Sequence, residues 1–267
     1  MNRIRSPLTS VLSRLQLWLD SPWLDALAIA AWGFLLLKYW ITGKLNILIH
    51  PNYFGLTIFG GVGLLILGGF RAWELWQNSR KNPELAARQS LDHITLFPKG
   101  WSTALLLIVA LMGLLITPRT FGSHTALQRG LTESLPVTRL EPQEFRTAAK
   151  PEERGLIEWV RLLNVNPEPD TYKGQKVNVT GFVIYPPSLP NNYIWISRFV
   201  ITCCAADAYP VGLPVLLPDN NRVPYPQDSW LQVEGEMTTQ VLNEERRLTI
   251  KALRLTPIPE PRNPYEY

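Results

Sequence analysis

The sequence of 267 residues holds only two cysteines, Cys203 and Cys204, and they are adjacent. Disulfide frameworks use several well-spaced pairs, so no such framework staples this chain. No CxxC or HxxxH spacing is present, which excludes the usual structural zinc modules. The histidines number three, and none follows His124. A general base in the C-terminal half would therefore be a carboxylate or be lent by another part of the chain. No Ser/His/Asp order, Gly-rich phosphate loop or metalloprotease helix appears, and we expect a protein that is not an enzyme. Charge is sparse as well: the net value is +4, and much of it lies beside apolar runs. That balance gives no footprint for nucleic acid. The first residues carry Arg3, Arg5 and Arg14, but no signal-peptide core or cleavage site follows at once. Residues 1–22 read as a retained cytoplasmic lead-in.

Long apolar runs and tryptophans dominate the first half instead. Leu24 to Ile41 is interrupted only by Asp25 and Lys38, which could snorkel or sit at an interface. Tyr53 to Phe70 has no charge and carries Gly60, Gly61, Gly63, Gly68 and Gly69, which would let helices approach closely. Trp101 to Ile116 is shorter, near the lower limit of roughly 17–25 residues for crossing hydrocarbon. Residues 23–118 therefore read as a membrane domain of three transmembrane helices, the alternative being two. Arg71, Arg80, Lys81, Arg88 and Lys99 follow the second run, against Lys44 alone between the first two. This bias puts the N-terminus and the 71–99 loop in the cytoplasm and everything after the third helix outside it. The expectation is a multi-pass protein of the cell (inner or plasma) membrane. Within the 71–99 loop, Leu85, Ala86, Leu91 and Ile94 form a modest helical stripe after Pro83.

Residues 119–150 lack steady periodicity and read as a linker. From residue 151 the pattern changes. Leu156, Ile157, Trp159, Val160 and Leu163 share one helix face within Glu152–Leu163. Five alternating runs follow, over 176–185, 193–203, 211–217, 229–238 and 247–256, separated by Pro and Asn clusters. So many strands in a short domain predict a small closed or partly open barrel of OB type over 151–267, with a small sandwich as the alternative. The expected fold class is a membrane protein, with N-terminal transmembrane helices followed by an all-β OB-like barrel.

The segment RFVITCCAADAYPVGLPV over 198–215 concentrates the unusual chemistry. With YKGQKVNVTGFV at 172–183, SWLQVEGEMT at 229–238 and His50-Pro51 ahead of an apolar run, it resembles the YcgQ-like family of bacterial membrane proteins. These are described as permease subunits. The resemblance implies a partner, a separate multi-spanning permease of the YcgR type. It leads us to expect an accessory subunit whose extracytoplasmic β domain binds, gates or presents cargo.

Thiolates favour soft or borderline metals such as zinc or copper, and a carboxylate or imidazole can complete the site. The candidate ligands are Cys203, Cys204, Asp207 and His50, with His124 on the same side in the three-helix topology. Neighbours in a strand point to opposite faces, so both sulfurs reach one ion only where the strand ends or bulges. Three alternatives stand beside metal binding. The cysteines could be small core residues. They could be a reversible thiol pair of a redox protein. The aromatics Trp195, Phe199 and Trp230 could form a single-strand binding platform. Glu234, Glu236, Glu244 and Glu245 lie among the nearby arginines, and with the extracytoplasmic address they argue against that last reading.

Overall fold

A computed structural model describes residues 21–81, 100–131 and 150–267. Most of the expected lead-in, the helical stripe after Pro83 and the greater part of the linker lie outside the described residues. The chain divides into two compact units. One is Met1–Leu45 with Pro51–Pro118, and the other is Asn46–His50 with Arg119–Tyr267.

The first unit contains α1 (Pro22–Ile41), α2 (Phe54–Lys81) and α3 (Trp101–Leu115). Pro22 suits the first turn of α1, where its missing N–H would have no partner. At the other end, the Thr42 N–H and hydroxyl both donate to the Lys38 carbonyl. α1 and α2 pack through small residues. A Cβ on Gly33 would come within 2.8 Å of the Gly61 carbonyl oxygen, and one on Gly68 within 3.2 Å of the Ala26 carbonyl oxygen. The helix backbones approach this closely because no side chains separate them. α2 is longer than the apolar run predicted and continues past Phe70 through Arg71 and Glu74, which pair at 2.6 Å. By length and composition α1 and α2 could each cross a membrane, whereas α3 has only 15 residues.

The polar groups of α1 do not reach outward. The Thr103 hydroxyl donates to Asp25 Oδ1 at 2.5 Å, and Lys38 Nζ donates to the Leu114 carbonyl at 2.6 Å. Tyr39 Oη and Trp32 Nε1 donate to the Gly113 and Leu106 carbonyls. α3 thus docks on α1 largely by satisfying its polar side chains, which otherwise carry a desolvation cost among apolar neighbours.

The second unit contains α4 (Ser123–Arg129), α5 (Leu156–Val165) and six strands. These are β1 (Lys176–Ile184), β2 (Tyr193–Val200), β3 (Tyr209–Leu216), β4 (Trp230–Leu242), β5 (Glu245–Ile258) and β6 (Tyr265–Glu266). The sheet order is β1-β4-β5-β3-β2-β6, and β1 also pairs with β2. Pairing therefore runs in a circuit through the five longer strands, antiparallel except between β3 and β5. β1 makes this possible by changing partner: it follows β4 up to Phe182 and β2 from Phe182 to Ile184. Gly181 sits at the change, where a Cβ would come within 2.6 Å of the Ser197 carbonyl oxygen.

Val177, Val179, Val183, Ile194, Ile196, Val215, Leu231, Val233 and Ile250 fill the interior, and α5 adds Leu156, Trp159 and Leu163 to the same core. The adjoining edge of the same face of α5 places Ile157 and Val160 against Val200 and Val211. A second apolar cluster gathers Phe182, Trp195, Phe199 and Tyr265 with Ile47 and Ala126. Residues 46–50 and the first part of the expected linker thus belong to the packing of this unit. Gly212 marks one of its tightest points. A Cβ there would collide with the Ile196 carbonyl oxygen and the Trp195 indole nitrogen. Gly212→Ala is expected to lower stability by about 1–3 kcal/mol, the usual cost of overpacking. Thermal unfolding of the detergent-solubilised protein followed by near-UV circular dichroism measures this.

Candidate metal-binding site

β2 ends at Val200, short of the predicted 203, and the chain then turns through Thr202–Asp207 before β3. Asp207 causes the turn. Its carboxylate accepts the backbone N–H of Cys203 at 2.8 Å, of Cys204 at 3.3 Å and of Thr202 at 3.4 Å, together with the Thr202 hydroxyl. These donors would otherwise continue the ladder of β2. The Asp207 N–H returns a bond to the Cys204 carbonyl at 3.0 Å, closing a reciprocal cap.

Two further segments of the same unit hold the turn. Ile49 and Cys204 form an antiparallel bridge, the His50 N–H donates to the Cys203 carbonyl at 3.0 Å, and the Ala205 N–H donates to the Leu48 carbonyl at 2.8 Å. On α4, Arg129 donates to the Ala205 and Ala208 carbonyls and lies over the Phe121 ring. The Cys-Cys turn is therefore fixed on several sides by backbone bonds, while Cys203 stays exposed and Cys204 half-exposed.

Because the strand has ended, the two sulfurs need not point apart, and they lie 3.7 Å from each other. Both are free thiols. One ligand atom from each of Cys203, Cys204 and Asp207 can be chosen so that all three lie within 4.8 Å of one another. His50 meets this turn through its backbone, while its ring packs edge-on to Tyr267 at 4.8 Å between centroids. His124 lies exposed on α4. Of the residues singled out from the sequence, three thus converge through their side chains. Thr202 and Arg129 were missed. A cap residue followed three positions later by a carboxylate was the readable signal for the turn; nothing local could have revealed Arg129.

Several effects compete at Asp207. Burial pushes its carboxyl up, but hydrogen bonds from Cys203, Thr202 and the backbone outweigh this and hold it below the usual carboxylate range. The ionised carboxylate in turn raises the Cys203 thiol. Its hydrogen bond to Asp207, then that to Cys204, push the thiol from 9.0 up to about 11. The turn is locally negative, which disfavours the Cys203 thiolate.

A row of apolar helices followed by a six-stranded β unit carrying a Cys-Cys-Asp turn defines the class of protein. The chain carries the DUF1980 N-terminal domain over residues 24–132 and the DUF1980 C-terminal domain over residues 156–267, so the two domains of that family account for most of its length. No curated protein and no solved structure matches it.

Proposed function

We propose that the chain is a non-enzymatic accessory subunit of a membrane permease, held in the cell membrane by three helices. Its β unit, a barrel of OB type, lies outside the cytoplasm and presents cargo. The observation that carries the membrane arrangement is the bridge between Ile49 and Cys204. Ile49 lies between α1 and α2, and Cys204 lies beyond α3. Their direct pairing supports a common side of a bilayer for both residues. If α2 crosses, α3 must cross back, despite its length. The excess of Arg and Lys after α2 then supports a cytoplasmic 71–99 loop and an external β unit.

The circuit of strand pairings, with the parallel contact between β3 and β5, supports the OB-type reading. The permease partner follows from the YcgQ-like resemblance. It is supported by the apolar surface that α2 leaves uncovered, including Leu56, Phe59, Ile66 and Phe70. Gly60 and Gly63 also face open space, unlike Gly61 and Gly68, which pack against α1.

Two measurements test this reading. A reporter fused after Tyr267 is expected to be active only outside the cytoplasm, and one fused near Arg80 only inside; a cytoplasmic C-terminus defeats the three-helix arrangement. Purification in mild detergent is expected to bring down a multi-spanning permease. Gly60→Leu with Gly63→Leu is expected to weaken that association while leaving the β unit folded. Recovery of the chain without any permease counts against partnership.

A further inference from the structure

We propose that Cys203, Cys204 and Asp207 form an exchangeable, three-ligand site for zinc. As the cargo of the presenting role, this inference rests on the function proposed above, though the site itself needs no partner to be measured.

The sulfur separation fits zinc. Two thiolates about 2.3 Å from a tetrahedral zinc ion lie about 3.8 Å apart. The two sulfurs stand at 3.7 Å. A linear two-coordinate arrangement, as copper(I) adopts with a thiolate pair, would separate them by roughly 4.6 Å at the same bond length. The third donor suits zinc as well: a carboxylate oxygen is an ordinary zinc ligand and a poor one for copper(I).

The ligand count defines the role. Structural zinc sites use four protein ligands and are closed. Here three side chains converge, and Cys203 is exposed. A fourth position stays open to water or to a donor from another protein, as hand-over of a metal ion requires. The backbone holds the donor set ready, because Asp207 fixes the N–H groups of both cysteines. His50 is tied to Cys203 by its main chain and packs its ring on Tyr267, so it stands outside the set.

The test uses the full chain in detergent, reduced and stripped of metal, titrated with zinc alone against a colorimetric chelator. Cobalt(II) replaces zinc for spectroscopy. One ion per chain is expected, with thiolate-to-cobalt charge-transfer bands and the visible bands of a tetrahedral ion. The chelator is expected to remove zinc without unfolding the protein. Cys203→Ser and Cys204→Ser are each expected to weaken binding by at least about a hundredfold, beyond the effect of losing an outer-shell partner. Cys203 is exposed, so its serine variant tests ligation without disturbing the core. His50→Ala is expected to bind as the unmodified chain does. Absence of the charge-transfer bands, or zinc binding unchanged in both serine variants, overturns the site. Loss of binding in His50→Ala overturns the three-ligand set. Zinc binding without permease recovery would leave the site and remove the partner, and permease recovery without zinc binding would do the reverse.

Discussion

Replacing Arg198 with methionine is expected to destabilise the β unit by about 3–5 kcal/mol, the range for removing one partner of a buried ion pair. Arg198 lies on β2 and reaches β6, where its Nη1 meets Glu266 Oε1 at 2.6 Å. The two side chains are only 13% and 20% exposed. The guanidinium also donates to the Asn263, Pro264 and Tyr265 carbonyls, so one side chain ties the last residues of the chain to the sheet. Without it Glu266 stays largely buried, and Arg161 is the remaining positive charge that lowers its carboxyl. The sign of the pH dependence follows. Burial, the largest influence, already raises the Glu266 carboxyl above its ordinary value, and Arg198 opposes the rise. A carboxyl raised on folding binds more protons in the native state than in the unfolded one. Its burial therefore costs stability as pH rises through that window. Removing Arg198 widens the window upward. The deficit of Arg198→Met should thus be larger near neutrality than at mildly acid pH, and Arg198→Met with Glu266→Gln should recover part of it. Denaturant unfolding at the two pH values, followed by near-UV circular dichroism, checks both statements. A deficit independent of pH would assign the loss to packing and main-chain contacts alone.

Trp159→Ala is expected to cost about 3–5 kcal/mol, as for other large aromatic truncations in a core. Trp159 is completely buried on α5 and meets Tyr172 edge-on, 6.3 Å between ring centroids. Arg154 covers the ring from the other direction at 5.0 Å. α5 has only 10 residues, too few for a stable isolated helix, so it depends on this packing. Trp159→Phe is expected to cost much less. Among the described residues the indole N–H has no hydrogen-bond partner, so phenylalanine removes ring volume without breaking a bond seen there. Equal losses in the two variants would show that the indole nitrogen contributes in some other way.

The strands were legible because alternation with one buried face leaves a period of two, as in Val177, Val179 and Gly181 of β1. Their ends were less so. β4 and β5 run on to Leu242 and from Glu245, joined by a tight turn in which Asn243 and Glu244 have φ of 53° and 68°. Such turns usually announce themselves by Asn-Gly, and here the second residue is glutamate. β6 escaped notice because two residues after a proline-rich stretch carry no period. The Cys-Cys-Asp side of the candidate site could be read from residue types alone. Its convergence could not, since it depends on β2 stopping at Val200 when Asp207 takes the next donors. Residues 46–50 were hidden for a different reason. Their partners lie far along the chain, and no local pattern records a pairing of that kind.

That distant pairing sets an order of events during synthesis. The Tyr267 hydroxyl donates to the Asn46 carbonyl across 221 positions of sequence, and Ile49 waits for Cys204. The ribosome releases the early segment long before its partners exist. Closing so long a loop is slow, and the exposed strand edge stays vulnerable meanwhile. Residues 46–50 can complete these pairings only after the C-terminal residues have been made. A chain truncated after β5 would leave that segment without its Tyr267 contact. A C-terminal half made alone would leave the Cys-Cys turn without the segment whose backbone pairs with it.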